Sequence, residues 1–142
     1  MIFRLTPQHY HRYCYSADGT VLHSRRIEGK LHCVRPIALE TVPVFAENSR
    51  EYQVIRTEHP GYMVHMEIGA LLVGRISNHP IPEGVGKVFA GEEKGYFEFG
   101  GSTIVLLFER DMLHLDYDLF SENFDDCEIP VHMGQPLGRL LK

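Results

Sequence analysis

Two glycines stand directly before a serine at the start of an apolar run, Gly100-Gly101-Ser102-Thr103 leading into Ile104–Phe108. A serine hydroxyl can attack the carbonyl of the residue before it only where the peptide bends unusually tightly. Gly100 and Gly101 carry no Cβ and can take up the positive φ angles that such a bend needs. The attack would convert the Gly101–Ser102 amide into an ester. Elimination across Cα–Cβ of the former serine would leave dehydroalanine, and hydrolysis with loss of ammonia would leave a pyruvoyl group at a new amino terminus. Taken alone, the same residues also suit a hairpin turn followed by a buried strand.

The histidines offer a second chemistry. His9 and His11 are spaced i, i+2, which puts them on one face of a strand and invites a metal reading. Such a site would need a glutamate three or four residues later, where Tyr13, Cys14, Tyr15 and Ser16 stand, so no metal is expected. An imidazole exchanges protons near neutral pH, which suits His11 to general acid–base work, and equally to a structural hydrogen bond. Cys14, Cys33 and Cys127 are odd in number with no CxxC spacing. They point away from a disulfide framework or zinc site and towards a reducing compartment.

The elements that must position these residues read as short strands. Thr20–Ile27 follows an Ala17-Asp18-Gly19 turn, and Glu51–Thr57 is a strand with Tyr52 and Val54 on one face. Tyr62, Val64, Met66 and Ile68 alternate with His65 and Glu67, the period-two mark of a half-buried strand. Gly69 and Gly74 bracket Ala70–Val73, which suggests a bend or bulge. A polar connection, Ser77–Gly86, precedes the strands Lys87–Ala90, Gly95–Phe99 and Thr103–Phe108. Tyr117–Asn123 alone looks helical. Ile129–Leu141 reads as another strand pair. Val88…Gly91…Gly95 and Val131…Gly134…Gly138 share a strand–turn–strand spacing that resembles the hairpins of barrel-sandwich hybrids, although the lysine tip of a biotinyl or lipoyl carrier is missing. The fold expected is mainly β: a compact barrel or barrel-sandwich-hybrid-like single domain with little helix.

Composition agrees with one globular domain over residues 1–142, with 44% hydrophobic and 23% charged residues. No run approaches the roughly 18 apolar residues of a membrane-spanning helix. The segment Met1–Tyr13 lacks the pattern of a secretory signal. The expectation is a cytoplasmic protein, soluble or peripheral at a membrane surface. A net charge of −5 disfavours nucleic acid as a partner. Charge is uneven: Arg25, Arg26, Lys30 and Arg35 face only Glu28 over residues 21–35, while residues 109–128 hold eight acids. Both stretches suit solvated surface, and the basic one also suits anionic lipid head groups.

The run Gly91–Phe108 resembles the self-processing region of phosphatidylserine decarboxylases, where a Gly-Ser-Thr sequence entering a buried strand is cut before its serine. Tyr10-His11-Arg12-Tyr13 resembles the family's Tyr-His-Arg segment, and Asp18-Gly19-Thr20-Val21 the turn after it. Val44–Arg50 resembles the Phe-x-x-Asn-x-Arg segment, and Glu67–Ile76 the Val-Gly-Ala-x-x-Val-Gly run. These pieces fall in family order between Leu5 and Arg139.

The resemblance implies self-cleavage at Gly101–Ser102, giving a β chain of residues 1–101 and an α chain of residues 102–142. It implies a pyruvoyl cofactor formed from Ser102, whose ketone takes up a substrate amine and the electrons left by departing CO₂. His11 would bind the substrate carboxylate or return a proton to carbon, with Gly100, Thr103, His9 and Cys14 in support. Many family members carry a second histidine where Cys14 stands, and an aspartate upstream of the region where this chain begins. Those residues are held to activate the serine in the manner of a protease triad; His9 is the stand-in base here. The chain also begins after the family's helical membrane-associated leader. The implied activity is conversion of phosphatidylserine to phosphatidylethanolamine. Two alternatives stand beside it: decarboxylation of a soluble amino acid, and an unprocessed, non-catalytic relative acting as a binding or structural module. The partners implied are a phospholipid or amino-acid substrate, with peripheral membrane contact and homo-oligomerisation left open.

Overall fold

Short runs rich in β-branched and aromatic residues, cut by Gly and Pro, fold as strands here. The computed structural model describes residues 1–59, 61–71, 75–81, 86–98, 100–116 and 128–141. Among them lie β1 (Ile2–Leu5), β2 (Arg12–Cys14), β3 (Gly19–Ile27), β4 (Arg50–Thr57), β5 (Tyr62–Ile68), β6 (Arg75–Asn78), β7 (Lys87–Val88), β8 (Glu93–Glu98), β9 (Ser102–Phe108), β10 (Leu113–Leu115) and β11 (Gly138–Leu140). Six strands form one antiparallel sheet in the order β1-β9-β5-β4-β3-β7, curled strongly into a half-barrel. Strands β2-β8-β6 form a second sheet, and β10-β11 a pair. The mainly β architecture with little helix matches the sequence expectation.

The half-barrel closes over a core of Tyr15, Ala17, Ile55, Met63, Val88 and Leu106, with Met1, Phe3 and Phe108 packed against it. A second cluster, Tyr13, Ile76 and Phe97, seats the three-stranded sheet on Leu5 and Ile104 of β1 and β9. Each such side chain contributes roughly 1.5–3 kcal/mol on leaving water. A third cluster, Val34, Val44 and Ala70, lies beneath a strap that carries two single-turn helices, α1 (Pro36–Leu39) and α2 (Val44–Glu47). The sequence reading missed both. Pro36 occupies the first turn of α1, where its missing N–H costs nothing. Asn48, fully buried, pins the strap: its Nδ2 donates to the carbonyls of His32 and Gly69, and its Oδ1 accepts from the His32 N–H.

Two expectations are corrected. On β5 the row of Met63, His65 and Glu67 faces inward, while Tyr62 is exposed and Val64 and Met66 are half-buried. On β4 Gln53 and Ile55 face inward, and Tyr52 and Val54 share the other face. The two supposed hairpins do not pair internally: β7 pairs with β3, and β8 with β2 and β6. Gly138–Leu140 pairs with Leu113–Leu115, and Val131 lies outside any described strand. The helix expected at Tyr117–Asn123, Leu72 and Val73 of the Ala70–Val73 bend, and Cys127 lie outside the described residues.

Candidate active site

Ser102 is the first residue of β9 and pairs with Leu5 of β1. The chain reaches it by leaving the three-stranded sheet after Glu98 and entering the six-stranded one. Gly100 makes this passage with φ 109°, a conformation closed to most side chains. Gly101 does not share it, which corrects the expectation that both glycines use positive φ. A Cβ on Gly101 would sit 3.4 Å from the Leu5 carbonyl oxygen and 3.5 Å from Val34 Cγ2. Alanine would therefore fit there in ordinary contact, while a branched side chain would press into the Val34 cluster.

The Ser102 side chain is fully buried and its Oγ has no hydrogen-bond partner. Burying a hydroxyl without a partner costs about 1–3 kcal/mol, so its presence asks for an explanation in function. Its surroundings are apolar: Leu5 lies opposite, and Ile104 follows on the same inward row against Tyr13, Ile76 and Phe97. The Thr103 hydroxyl is also buried and unpartnered, but by strand alternation it points to the other face.

His11 borders the same apolar cluster, its ring edge-on to Phe97 with centroids 6.4 Å apart. Its Nδ1 lies 2.7 Å from the His9 carbonyl oxygen. A carbonyl can only accept, so Nδ1 carries the hydrogen and Nε2 is left as the acceptor in the neutral ring. That Nε2 is buried and unpartnered. His11 and Ser102 thus flank one apolar cluster, His11 through Phe97 and Ser102 through its register partner Leu5, and no hydrogen bond joins them. His9 is exposed, and its Nδ1 accepts the Thr6 N–H, so it makes no contact with Ser102 as a base. Its backbone carbonyl, by orienting His11, is its contribution to the site.

Cys14, the last residue of β2, lies between the buried Tyr13 and Tyr15, and its Sγ lies 4.0 Å from Met133 Sδ. A histidine introduced at this position would follow the same outward course. We expect Cys14→His alone to leave the rate of Gly101–Ser102 cleavage within about threefold of the parent, as for a surface change remote from the reacting atoms. Processing of that variant more than about tenfold faster than the parent in a timed intact-mass series would show that the side chain can turn inward.

Sequence reasoning missed a buried ionic set on the interior face. Glu67 and Lys94 are both fully buried, with Lys94 Nζ 2.7 Å from Glu67 Oε2. Asn78 Nδ2 donates to the same Glu67 oxygen at 3.0 Å and to Glu51 Oε1 at 2.7 Å. Its Oδ1 accepts from the Tyr13 hydroxyl at 3.0 Å. Gly95 permits this closeness, since a Cβ there would lie 2.7 Å from Asn78 Oδ1. Burial raises the Glu67 carboxyl above the usual carboxylate range, against the pull of Lys94. Burial also raises the Tyr13 phenol, with Glu67 and Glu51 adding to it. The available signal was two ionisable residues at alternate positions inside an apolar strand, His65 and Glu67, and a lysine on the strand running towards Gly100.

His65 completes the set. Its Nε2 lies 3.3 Å from Glu67 Oε1, out of line for a hydrogen bond, and neither of its nitrogens has a partner. Burial, and then the charge of Lys94, push its pKa down to about 3. An unfolded imidazole takes its proton near pH 6.5. Between those values the unfolded chain binds the extra proton, so stability falls as pH drops from about 6.5 towards 3 by up to about 1.4 kcal/mol per unit. His65→Leu should flatten that acid limb in urea unfolding curves taken from pH 7 to pH 4. An unchanged slope would show that His65 is not the group taken up.

Among the described residues no three metal-ligating side chains converge, and Cys14 and Cys33 are free thiols. No helix among them is long and apolar enough to cross a membrane. The basic stretch is partly matched at the surface, Arg26 to Glu28 and Lys30 to Glu47.

The profile of the phosphatidylserine decarboxylase family matches residues 1–139. The chain is similar to phosphatidylserine decarboxylase proenzyme 2 of Clostridium acetobutylicum, with 46% identity over 139 residues, 97% of this chain and 46% of that protein. It is 41% identical over 142 residues to the phosphatidylserine decarboxylase proenzyme of Clostridium novyi, covering 99% of this chain and 48% of that one. The Clostridium perfringens proenzyme is 40% identical over 139 residues, with 97% and 47% covered. The chain spans about half the length of the curated relatives it matches. No solved structure matches it. With the match running over nearly its whole length, the chain belongs to the phosphatidylserine decarboxylase family.

Proposed function

We propose that this chain cuts itself between Gly101 and Ser102 and, as a pyruvoyl-dependent carboxy-lyase, converts phosphatidylserine to phosphatidylethanolamine. The observation that carries the reading is the buried, unpartnered Ser102 hydroxyl placed directly after the Gly100 turn, in a chain of this family. The relatives named above are called proenzymes, which fits a chain matured by cleavage.

In the cleavage, Ser102 Oγ adds to the Gly101 carbonyl carbon and the C–N bond breaks, moving the acyl group from nitrogen to oxygen. Loss of the Cα proton expels the Gly101 carboxylate, and water then releases ammonia. The site suits the group so formed. The apolar side chains beside it, Leu5 and Ile104 with Phe97, give the newly made terminus a low-dielectric setting, which favours loss of a charged carboxylate. When present, the pyruvoyl carbonyl supplies an electron sink for loss of CO₂. With Nδ1 bonded to the His9 carbonyl, His11 in its protonated form would present an Nε2–H to the substrate carboxylate, or deliver that proton to the carbon left by CO₂. The phospholipid head group, a primary amine beside a carboxylate, matches both demands.

Intact mass under denaturing conditions tests the reading. The expected products are residues 1–101 and residues 102–142, the second lacking a free amine and reacting with a hydrazide. Carbon dioxide release from phosphatidylserine in mixed micelles, compared with release from free serine and other amino acids, assigns the substrate. A chain that stays whole on long incubation would leave the non-catalytic alternative.

A further inference from the structure

The buried ionic set has no part in the chemistry above, and its placement asks for one. Besides His65, five hydrogen-bonded side chains from five strands meet in it: Tyr13 on β2, Glu51 on β4, Glu67 on β5, Asn78 on β6 and Lys94 on β8. Two of these strands belong to the half-barrel and three to the smaller sheet, so the set ties the sheets to each other. A buried ion pair is a poor source of net stability, because desolvation consumes most of its attraction and an apolar pair of similar size often does as well. What such a pair does supply is fixed direction and distance.

The two sheets are also the two sides of the scissile bond. Lys94 sits on the strand that delivers the chain to Gly100. Glu67 sits on β5, which pairs directly with β9, and its register partner there is Ile104, two residues beyond Ser102. Only residues 99–101 join the end of β8 to the start of β9. Any sliding or rotation between the sheets must therefore pass into that short connection.

We propose that the Glu67–Lys94 pair, held by Asn78, is a positioning device that sets the geometry of the Gly101–Ser102 peptide by locking the sheets on either side of it. This rests on the self-cleavage reading. None of the three residues touches the reacting atoms; they act through β8 and β9.

The test replaces the pair by apolar side chains of similar size, Glu67→Leu with Lys94→Met, in the cleavable chain and in an uncleavable Ser102→Ala chain. In the uncleavable background the unfolding midpoint should return close to that of the parent, as expected for a buried ion pair replaced in kind. The carbonyl ¹³C resonance of Gly101 should nevertheless move, and amide exchange at residues 102–104 should quicken roughly tenfold while β3–β4 amides stay as they were. In the cleavable chain, cutting should slow on the order of 100-fold, the scale of a 1 Å misplacement of reacting atoms. A stable double variant with an unmoved Gly101 resonance, or one that cuts at the parent rate, would overturn the proposal. If the double variant does not fold, Glu67→Gln with Lys94→Met, which keeps an amide for Asn78, is measured in the same way. If the parent itself never cuts, the self-cleavage reading fails, and the resonance and exchange data still decide whether the pair positions the peptide.

Discussion

Ser102→Ala should leave one full-length chain with no decarboxylase activity, whatever the incubation time or temperature below unfolding. The hydroxyl is both the nucleophile of the acyl shift and the oxygen later expelled with Gly101, so no other residue can supply either role. The fold should survive. The side chain makes no hydrogen bond, and removing an unpartnered buried hydroxyl relieves a cost of about 1–3 kcal/mol rather than adding one. The expected signature is thus a single mass, no hydrazide-reactive species and an unfolding midpoint equal to or above that of the uncut parent. Cutting of the alanine variant at the same bond would show that an ordinary protease is responsible.

His11→Ala should separate maturation from turnover. Its buried Nε2 bonds to nothing and its ring abuts Phe97 of the apolar cluster, a position for meeting substrate rather than for activating the serine. Correctly placed acid–base help is worth about 10²–10⁴-fold, and the loss should appear in kcat of fully cut enzyme while the extent of cutting stays near that of the parent. The fold should hold, since the ring has a single hydrogen bond, to a local carbonyl. Parent-level turnover by processed His11→Ala protein would remove the residue from the chemistry.

Much of this architecture was legible in the sequence, and the parts that were not share a cause. The Ala17-Asp18-Gly19 turn marked the start of β3, period-two alternation marked β5, and the Gly100-Gly101-Ser102-Thr103 run marked where one strand had to give way to another. Alternation sorts residues into two rows without saying which row is inside. On β5 the inward row can carry Glu67 because Lys94 and Asn78 arrive from a different sheet to meet it. That is a non-local fact, like the pairing of β10 with β11 across an intervening stretch. Cys14 shows the same gap at the scale of one residue. Its neighbours in sequence suggested a helper, while its direction from the strand sends it to Met133. The single-turn helices of the strap were too short for any periodicity to announce them.

The order β1-β9-β5 bears on what happens once the bond is cut. Strand β9 would then belong to the second piece while both its neighbours belong to the first, so it is held along two edges at once. Met1 adds a further hold, its backbone nitrogen donating to the Leu106 carbonyl and its carbonyl accepting the Leu106 N–H. Two such pieces would travel as one particle in any native separation and part only in denaturant. After that, reassembly becomes a second-order encounter in which a free strand must enter a gap that its absence allows to close. The intact chain solves this problem through its own connectivity; the mature one could not. Cutting would therefore make the fold unrepeatable, and it would have to come after the sheet is complete.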